Sequence, residues 1–277
     1  AEMIMGAAEA KPDEYLLKPI NQNILEGRLE RLIVKKQALR GVEEALRGRD
    51  YATALARCNQ LLVAEGGKAP EILRIKSDLL LKLGDYDGAK TLFESVLAAR
   101  SVPWARTGLG KVYFHQGQYE MARSQFRQVL EENRMFIEAA DWLAKTFDAM
   151  GDKPQAQQVL QAAVKLSPNS AYRQRALGET AWRNGALDVA QGAFEKTIQI
   201  SEFSSNKHPA AYVALARVLS DSDSPEEALK LLKRTNEVFK DSKDGVNIAI
   251  QAAAVQSAVH HKAGQAEEAQ AAMAQVE

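Results

Sequence analysis

The segment LGDYDGAKTLF, residues 83–93, returns in altered form as QGQYEMARSQF, residues 116–126. Both copies hold a glycine, a tyrosine two residues later, then an alanine and, four residues after it, a phenylalanine. Glycine interrupts a helical pattern, whereas residues four apart lie on the same helix face. Each copy therefore predicts a turn followed by a helix that buries its alanine and its phenylalanine.

The alanine of this pattern recurs along the chain at intervals of about 34 residues. Its members are Ala54, Ala89, Ala122, Ala156, Ala190, Ala228 and Ala269. An apolar residue lies four positions after each alanine, at Cys58, Phe93, Phe126, Leu160, Phe194, Leu232 and Met273. Twelve positions before it lies a small residue, at Ser77, Gly110, Ala144, Gly178, Ala216 and Ser257, with Val42 as the exception. Small residues let two helices pack closely, so this period predicts stacked helical hairpins.

These columns resemble the pattern of tetratricopeptide repeats (TPRs). The resemblance implies an all-α fold for residues 34–277, a right-handed superhelical solenoid of about six to seven TPR-like hairpins. It also implies a protein or peptide partner, bound in the concave groove that the first helix of each hairpin lines. The sequence departs from the family where the family often has tryptophan, at Leu73, Arg106, Ala140, Gln174 and Tyr212. An irregular helical bundle is the alternative for this part of the chain.

Prolines support the predicted helix boundaries. Pro70, Pro103, Pro209 and Pro225 fall in expected first turns, where the missing backbone N–H leaves no hydrogen bond unmade.

The beginning of the chain has a different pattern. Residues 13–19, DEYLLKP, predict a short strand ended by proline, and Asn21 can cap a helix that follows at once. An isolated strand leaves its backbone groups unpaired, so we expect this one to belong to a sheet with other strands. An exposed strand of this kind could also pair two copies of the chain into a dimer.

Residues 1–33 resemble the end of a response-regulator receiver domain, comprising the end of its fourth helix, its fifth strand and its fifth helix. The resemblance implies that Lys18 contacts the phosphoryl group, Pro19 follows a cis peptide bond and Tyr15 is the switch aromatic. The acidic pair and the phosphoacceptor aspartate of that family would precede this segment and are not in the sequence. The alternative is a surface hairpin remnant in which Lys18 is merely solvated.

Together these patterns predict the protein-binding effector module of a two-component response regulator. The absence of proline from Asn21 to Leu46 predicts one helix that runs from the receiver remnant into the first repeat. A free-standing TPR scaffold or adaptor is the alternative, and an RNA-binding helical repeat is a less favoured one.

A stripe of residues on the first helices supplies the candidate groove. Its members are Arg74, Trp104, Lys111, Phe114, Trp142, Lys145, Tyr172, Arg175, Trp182, Arg183 and Arg217. Aromatic and arginine side chains are enriched at interface hot spots, so this stripe predicts a binding surface. Two alternatives remain at this stage. The tryptophans could pack between repeats, and the basic residues could form a solvated face paired with Glu138, Asp141 and Glu179.

Composition and motifs argue against other classes of function. Thirty-six basic and thirty-six acidic residues give a net charge of zero, which argues against nucleic acid as a partner. No phosphate loop, nucleophile elbow or metal-ligand spacing is found, and His115, His208, His260 and His261 are scattered. Cys58 falls in an apolar column and is expected in the core. We therefore predict a cytoplasmic protein with no enzymatic activity, no cofactor, no metal and no membrane segment.

Overall fold

A computed structural model describes residues 20–67, 69–202 and 209–274, and within these ranges it contains fourteen α-helices and no strand. The helices are α1 Gln22–Arg47, α2 Tyr51–Ala64, α3 Pro70–Leu83, α4 Tyr86–Ala99, α5 Pro103–His115, α6 Tyr119–Glu132, α7 Ile137–Ala149, α8 Lys153–Leu166, α9 Ala171–Arg183, α10 Leu187–Glu202, α11 Pro209–Asp221, α12 Pro225–Phe239, α13 Gly245–Lys262 and α14 Ala266–Ala274. The predicted strand with Tyr15, Lys18 and Pro19 lies outside the described residues, as does His208. None of the fourteen helices is long and apolar enough to cross a membrane.

The helices divide into two units, of which the first ends at Met150 and the second begins at Gly151. In the first unit the hairpins α1/α2, α3/α4 and α5/α6 are followed by α7. In the second unit α8 precedes the hairpins α9/α10, α11/α12 and α13/α14. The first helices of successive hairpins are also in contact: α3 contacts α5, and α9 contacts α11. This stacking confirms the predicted array of helical hairpins and contradicts the irregular bundle.

The predicted turns and helix starts are confirmed. Gly84 directly follows α3 and Gly117 lies two residues after the end of α5. Both have φ of 74°, a left-handed conformation that glycine adopts without a Cβ clash. Asp85 then caps α4, because its Oδ1 accepts a hydrogen bond of 2.9 Å from the Gly88 N–H. Pro70, Pro103, Pro209 and Pro225 are the first residues of their helices.

The repeat columns form the core of each unit. The seven alanines are buried, and Phe93, Phe126 and Phe194 are almost wholly enclosed. Gly110 shows why the small column is needed, because a Cβ on it would lie 2.5 Å from the Phe126 ring. Met273 was expected to be buried like the others, and this expectation is wrong. Its side chain is 41% exposed because α14, the last described helix, packs mainly against α13.

Helix α1 is continuous across its 26 residues, as the sequence predicts. The Ile24 N–H donates to Asn21 Oδ1 at 2.8 Å, which confirms Asn21 as the cap. Leu39 and Val42 in its second half are buried in the core that α1 shares with α2. Ile33 in its first half is 55% exposed. Only the second half of α1 therefore contributes buried residues to the first hairpin.

Cys58 is a core residue, as predicted. Its side chain is fully buried beside Ala54 and Leu62, and burial raises the pKa of its thiol. A buried thiol that resists ionisation is a poor nucleophile, so packing explains this cysteine.

Candidate partner-binding surface

Trp142 on α7 lies at the centre of an aromatic cluster in the first unit. Its ring meets the edge of Phe114 at 5.4 Å and that of His115 at 5.7 Å, and it stacks on Phe126 at 6.4 Å. These partners belong to the α5/α6 hairpin, so Trp142 packs on the preceding repeat. Its side chain nevertheless remains half-buried rather than enclosed. Trp142 is thus neither enclosed in the core nor fully exposed.

Two lysines lie over the indole of Trp142. Lys145 Nζ is 4.5 Å and Lys111 Nζ 5.6 Å from the ring centroid. Both distances are within the range of cation–π attraction, which contributes about 0.5–2 kcal/mol depending on exposure. We call the set Lys111, Phe114, His115, Trp142 and Lys145 the Trp142 cluster.

The charge around the Trp142 cluster is mixed. Lys111 Nζ donates to Glu138 Oε1 at 2.6 Å, and the lysine side chain is only 15% exposed. Asp141 and Asp148 follow on α7 and are half-buried. This ion pair agrees with the alternative that the basic residues are paired with acidic ones. The cluster is therefore an aromatic surface with fixed, partly compensated charges rather than a basic patch.

His115 joins the Trp142 cluster to the preceding repeat. Its ring stacks on Tyr86, the first residue of α4, at 5.4 Å with an interplanar angle of 9°. Desolvation lowers the pKa of His115, and the charges of Lys111 and Lys145 lower it further. Neutral imidazole is thus favoured where the ring faces two ammonium groups. His115 is exposed, as expected for a surface histidine, but its stacking on Tyr86 was not predicted.

We expect His115 to titrate below pH 6.5, its usual midpoint, in the folded protein. Because the folded state binds its proton less tightly than the unfolded chain does, His115 should make folding less favourable as the pH falls below 6.5. The ring protons, followed by NMR across pH 5–8, give the midpoint. Lys145→Gln should move it upward but leave it depressed, since desolvation persists. A midpoint at or above the usual value would contradict the geometry.

Trp104 and Arg74 are the other predicted groove residues of the first unit, and among the described residues neither makes a ring or cation–π contact with the Trp142 cluster. Trp104 on α5 meets the Phe93 ring of α4 edge to face at 6.1 Å and is half-buried. Arg74 is exposed on α3. Trp104 therefore packs between repeats, in agreement with the alternative for the tryptophans.

In the second unit, polar contacts connect the first helices of three successive hairpins, α9, α11 and α13. The Trp182 indole N–H on α9 donates to Asp221 Oδ2 on α11 at 2.8 Å. Lys262 on α13 lies 3.7 Å from Asp221 Oδ1 and donates to the Ser220 carbonyl at 2.8 Å. The apolar part of Trp182 packs against the core of this unit. Asp221 and Lys262 were not predicted, because nothing local in the sequence pairs them with Trp182.

The remaining predicted residues of the second unit line its surface. Tyr172 is 48% exposed, and Arg183 and Arg217 are exposed. Arg175 pairs with Glu179 on the same helix at 3.5 Å. These residues offer a second aromatic and basic surface, with its tryptophan held by a hydrogen bond.

Comparison with known proteins agrees with this architecture. Two family models, both described as tetratricopeptide repeat, match residues 39–99 and the overlapping stretches 80–141 and 113–179. Among solved structures, the C-terminal part of a TPR protein from Cytophaga hutchinsonii is 18% identical, with a TM-score of 0.65 over 86% of this chain and 93% of that one. A tetratricopeptide repeat protein from Parabacteroides merdae is 14% identical, with a TM-score of 0.55 over 87% and 91%. TPR-like repeats from Podosopora anserina are 20% identical, with a TM-score of 0.53 over 62% and 91%.

The fold thus defines a helical-hairpin repeat protein, a class whose members present extended surfaces to partners. Within that class, the chain belongs to the tetratricopeptide-repeat family. No protein of curated function matches its sequence.

Proposed function

We propose that this chain is a protein-interaction module and that the Trp142 cluster is its main contact with a protein or peptide partner. The observation that carries the proposal is a half-buried indole in contact with three aromatic rings and overlain by two lysines. Large aromatic side chains dominate interface energetics when they become fully desolvated.

The packing of Trp142 favours binding because it reduces the entropy lost on association. Immobilising a rotamer-rich side chain at an interface costs about 0.5–1.5 kcal/mol. Phe114, His115 and Phe126 restrict the indole before any partner arrives. Packing between repeats, which was the alternative, is therefore compatible with binding by Trp142, because the residue stays only half-buried. Trp104 lacks a comparable surrounding cluster and is a weaker candidate.

The second unit carries another candidate surface, formed by Tyr172, Arg175, Trp182, Arg183 and Arg217.

The mixed charges of the two surfaces disfavour RNA as the ligand, since Lys111 and Arg175 both pair with carboxylates. Neither surface holds a nucleophile, base and orienting group in contact, so recognition without catalysis is the function we propose.

We further propose that the repeats are the effector part of a cytoplasmic two-component response regulator. Support comes from the sequence of residues 1–33 and from the unbroken helix α1, which leads from that segment into the first hairpin. Sequencing the gene upstream tests this proposal. An upstream reading frame that encodes an acidic pair and a phosphoacceptor aspartate would support it. A frame without them would favour a free-standing scaffold.

Affinity capture tests the binding proposal. The immobilised chain should retain a partner from an extract of its own cells, and Trp142→Ala should lose it. Val63→Ser is the matched control, because Val63 is 83% exposed on α2 and outside the cluster. If the parent chain, Trp142→Ala and Val63→Ser all retained the partner equally, the Trp142 cluster would be rejected as the binding surface. The same comparison with Trp182→Phe tests the second surface.

A further inference from the structure

The sequence contains one Asn-Gly pair, Asn184-Gly185, in the turn between α9 and α10. Gly185 is exposed and has φ of 73°, so the left-handed turn explains the glycine. The turn does not explain the half-buried asparagine before it. The residues that precede the corresponding glycines of other turns are Leu83, Gln116, Met150 and Ala263. Asn184 is therefore a feature of this turn and not of the repeat.

The side-chain amide of Asn184 connects the end of α9 to α8. Its Nδ2 donates to the Lys153 carbonyl oxygen at 3.0 Å and to Gln157 Oε1 at 2.7 Å. Both hydrogens of the amide are used in this way. A carboxylate in the same place would have no hydrogen to donate and would face two acceptor oxygens. We call these two hydrogen bonds the Asn184 clamp.

An asparagine followed by glycine is also the substrate of an intramolecular reaction. The backbone nitrogen of Gly185 attacks Cγ of Asn184, and a new N–C bond closes a cyclic imide. The bond from Cγ to Nδ2 breaks, and ammonia leaves with the proton of the Gly185 amide. Water then opens the imide at either carbonyl, which yields aspartate or isoaspartate. Glycine favours the attack because it has no side chain to hinder it.

Three hydrogen bonds oppose this reaction in the folded chain. Two are those of the Asn184 clamp, which hold the leaving nitrogen. In the third, the Gly185 N–H donates to the Trp182 carbonyl oxygen at 2.9 Å. The attacking nitrogen and the amide carbon are thus both held by the fold. We expect the reaction to proceed from a turn that has opened locally or from the unfolded chain.

We propose that Asn184 is a deamidation site, which the Asn184 clamp protects and whose product releases the clamp. After deamidation, a negative charge faces the two acceptor oxygens on α8. Two attractive contacts between α8 and α9 are thereby replaced by a repulsion. Because each repeat is stabilised by its neighbours, the modification loosens the second unit at this contact. The proposal does not rest on partner binding at either candidate surface.

Peptide mapping by mass spectrometry tests the protection on the full chain by following the conversion of the Asn184 amide to an acid. We expect conversion to be at least about tenfold faster in urea than in the folded chain, because no opening is then required. Gln157→Ala removes one acceptor and should speed the reaction of the folded chain about three- to tenfold. Gln158→Ala, at the exposed neighbouring residue, should leave the rate unchanged. Gly185→Ala should slow the reaction in urea, where folding plays no part.

The variant Asn184→Asp carries the product side chain and tests the release. It should lower the melting temperature by about 2–6 °C, because it breaks the Asn184 clamp. Gln158→Glu is the matched control, since it makes the same change from amide to carboxylate at an exposed residue of α8. It should melt within about 1 °C of the parent chain.

Any one of three results would overturn the proposal. Conversion in urea that is no faster at Asn184 than at Asn59, which precedes glutamine, would remove the site. Equal rates in the folded and unfolded chains would show that the Asn184 clamp protects nothing. A melting temperature of Asn184→Asp equal to that of the parent or of Gln158→Glu would show that the product leaves the contact between α8 and α9 intact.

Discussion

Phe126→Ala is expected to lower the free energy of unfolding by about 3–5 kcal/mol, the cost of removing a large aromatic ring from a packed core. The Phe126 side chain is completely buried. Its ring fills the space opposite Gly110 and stacks on Trp142, so three helices would lose contacts at once. Urea titrations followed by circular dichroism would measure the change, which in a repeat array reports mainly on the repeats near the substitution.

Met121 provides the matched control for this prediction. It lies on the same helix, and its side chain is 46% exposed. Met121→Ala should change the free energy of unfolding by no more than about 0.5 kcal/mol, because it removes few buried contacts. If the two alanine variants unfolded at the same urea concentration, the contact between Phe126 and Gly110 would not be the packing unit of this repeat.

Trp142→Ala is expected to raise the dissociation constant for the captured partner by about 30-fold or more. This is equivalent to a loss of about 2 kcal/mol in binding free energy, as for an interface hot spot. Isothermal titration calorimetry with the purified partner would measure the dissociation constant. Because Trp142 also packs on Phe114 and Phe126, the titration must be run where circular dichroism shows the variant folded.

Lys145→Gln separates binding from packing in this prediction. Lys145 is exposed, so its loss should leave the fold intact while removing the closer of the two ammonium groups over the indole. We expect a smaller loss of affinity, of about three- to tenfold. Full affinity in both Trp142→Ala and Lys145→Gln would exclude the cluster from the interface.

The repeat could be predicted from the sequence because each of its recurring positions satisfies one local packing requirement. Ala89 and Phe93 are one helical turn apart, and their burial follows from helix periodicity alone. Gly110 is small because the Phe126 ring occupies the place of its side chain. These relations recur with the same spacing along the chain, although Val42 takes the small position in the first repeat. Met273 is the exception, because no later helix among the described residues covers it.

The details of the candidate surfaces could not be predicted, since they depend on contacts between repeats. Tyr86 and His115 stack across two hairpins, and Trp182 finds Asp221 on another helix. Such pairs follow from the angle at which hairpins stack, which no local pattern encodes. The division after Met150 is also unmarked, because Gly151 and Asp152 repeat the turn sequence found at Gly84 and Asp85.

The three tryptophans provide the most direct test of the central claim, that a protein partner binds at the Trp142 cluster. Each indole N–H gives one signal in a ¹⁵N-correlated NMR spectrum, and single Trp→Phe variants assign them. Titration with the captured partner should shift or broaden the Trp142 signal most, and leave that of Trp104 in place. A Trp142 signal unchanged at saturating partner would contradict this account.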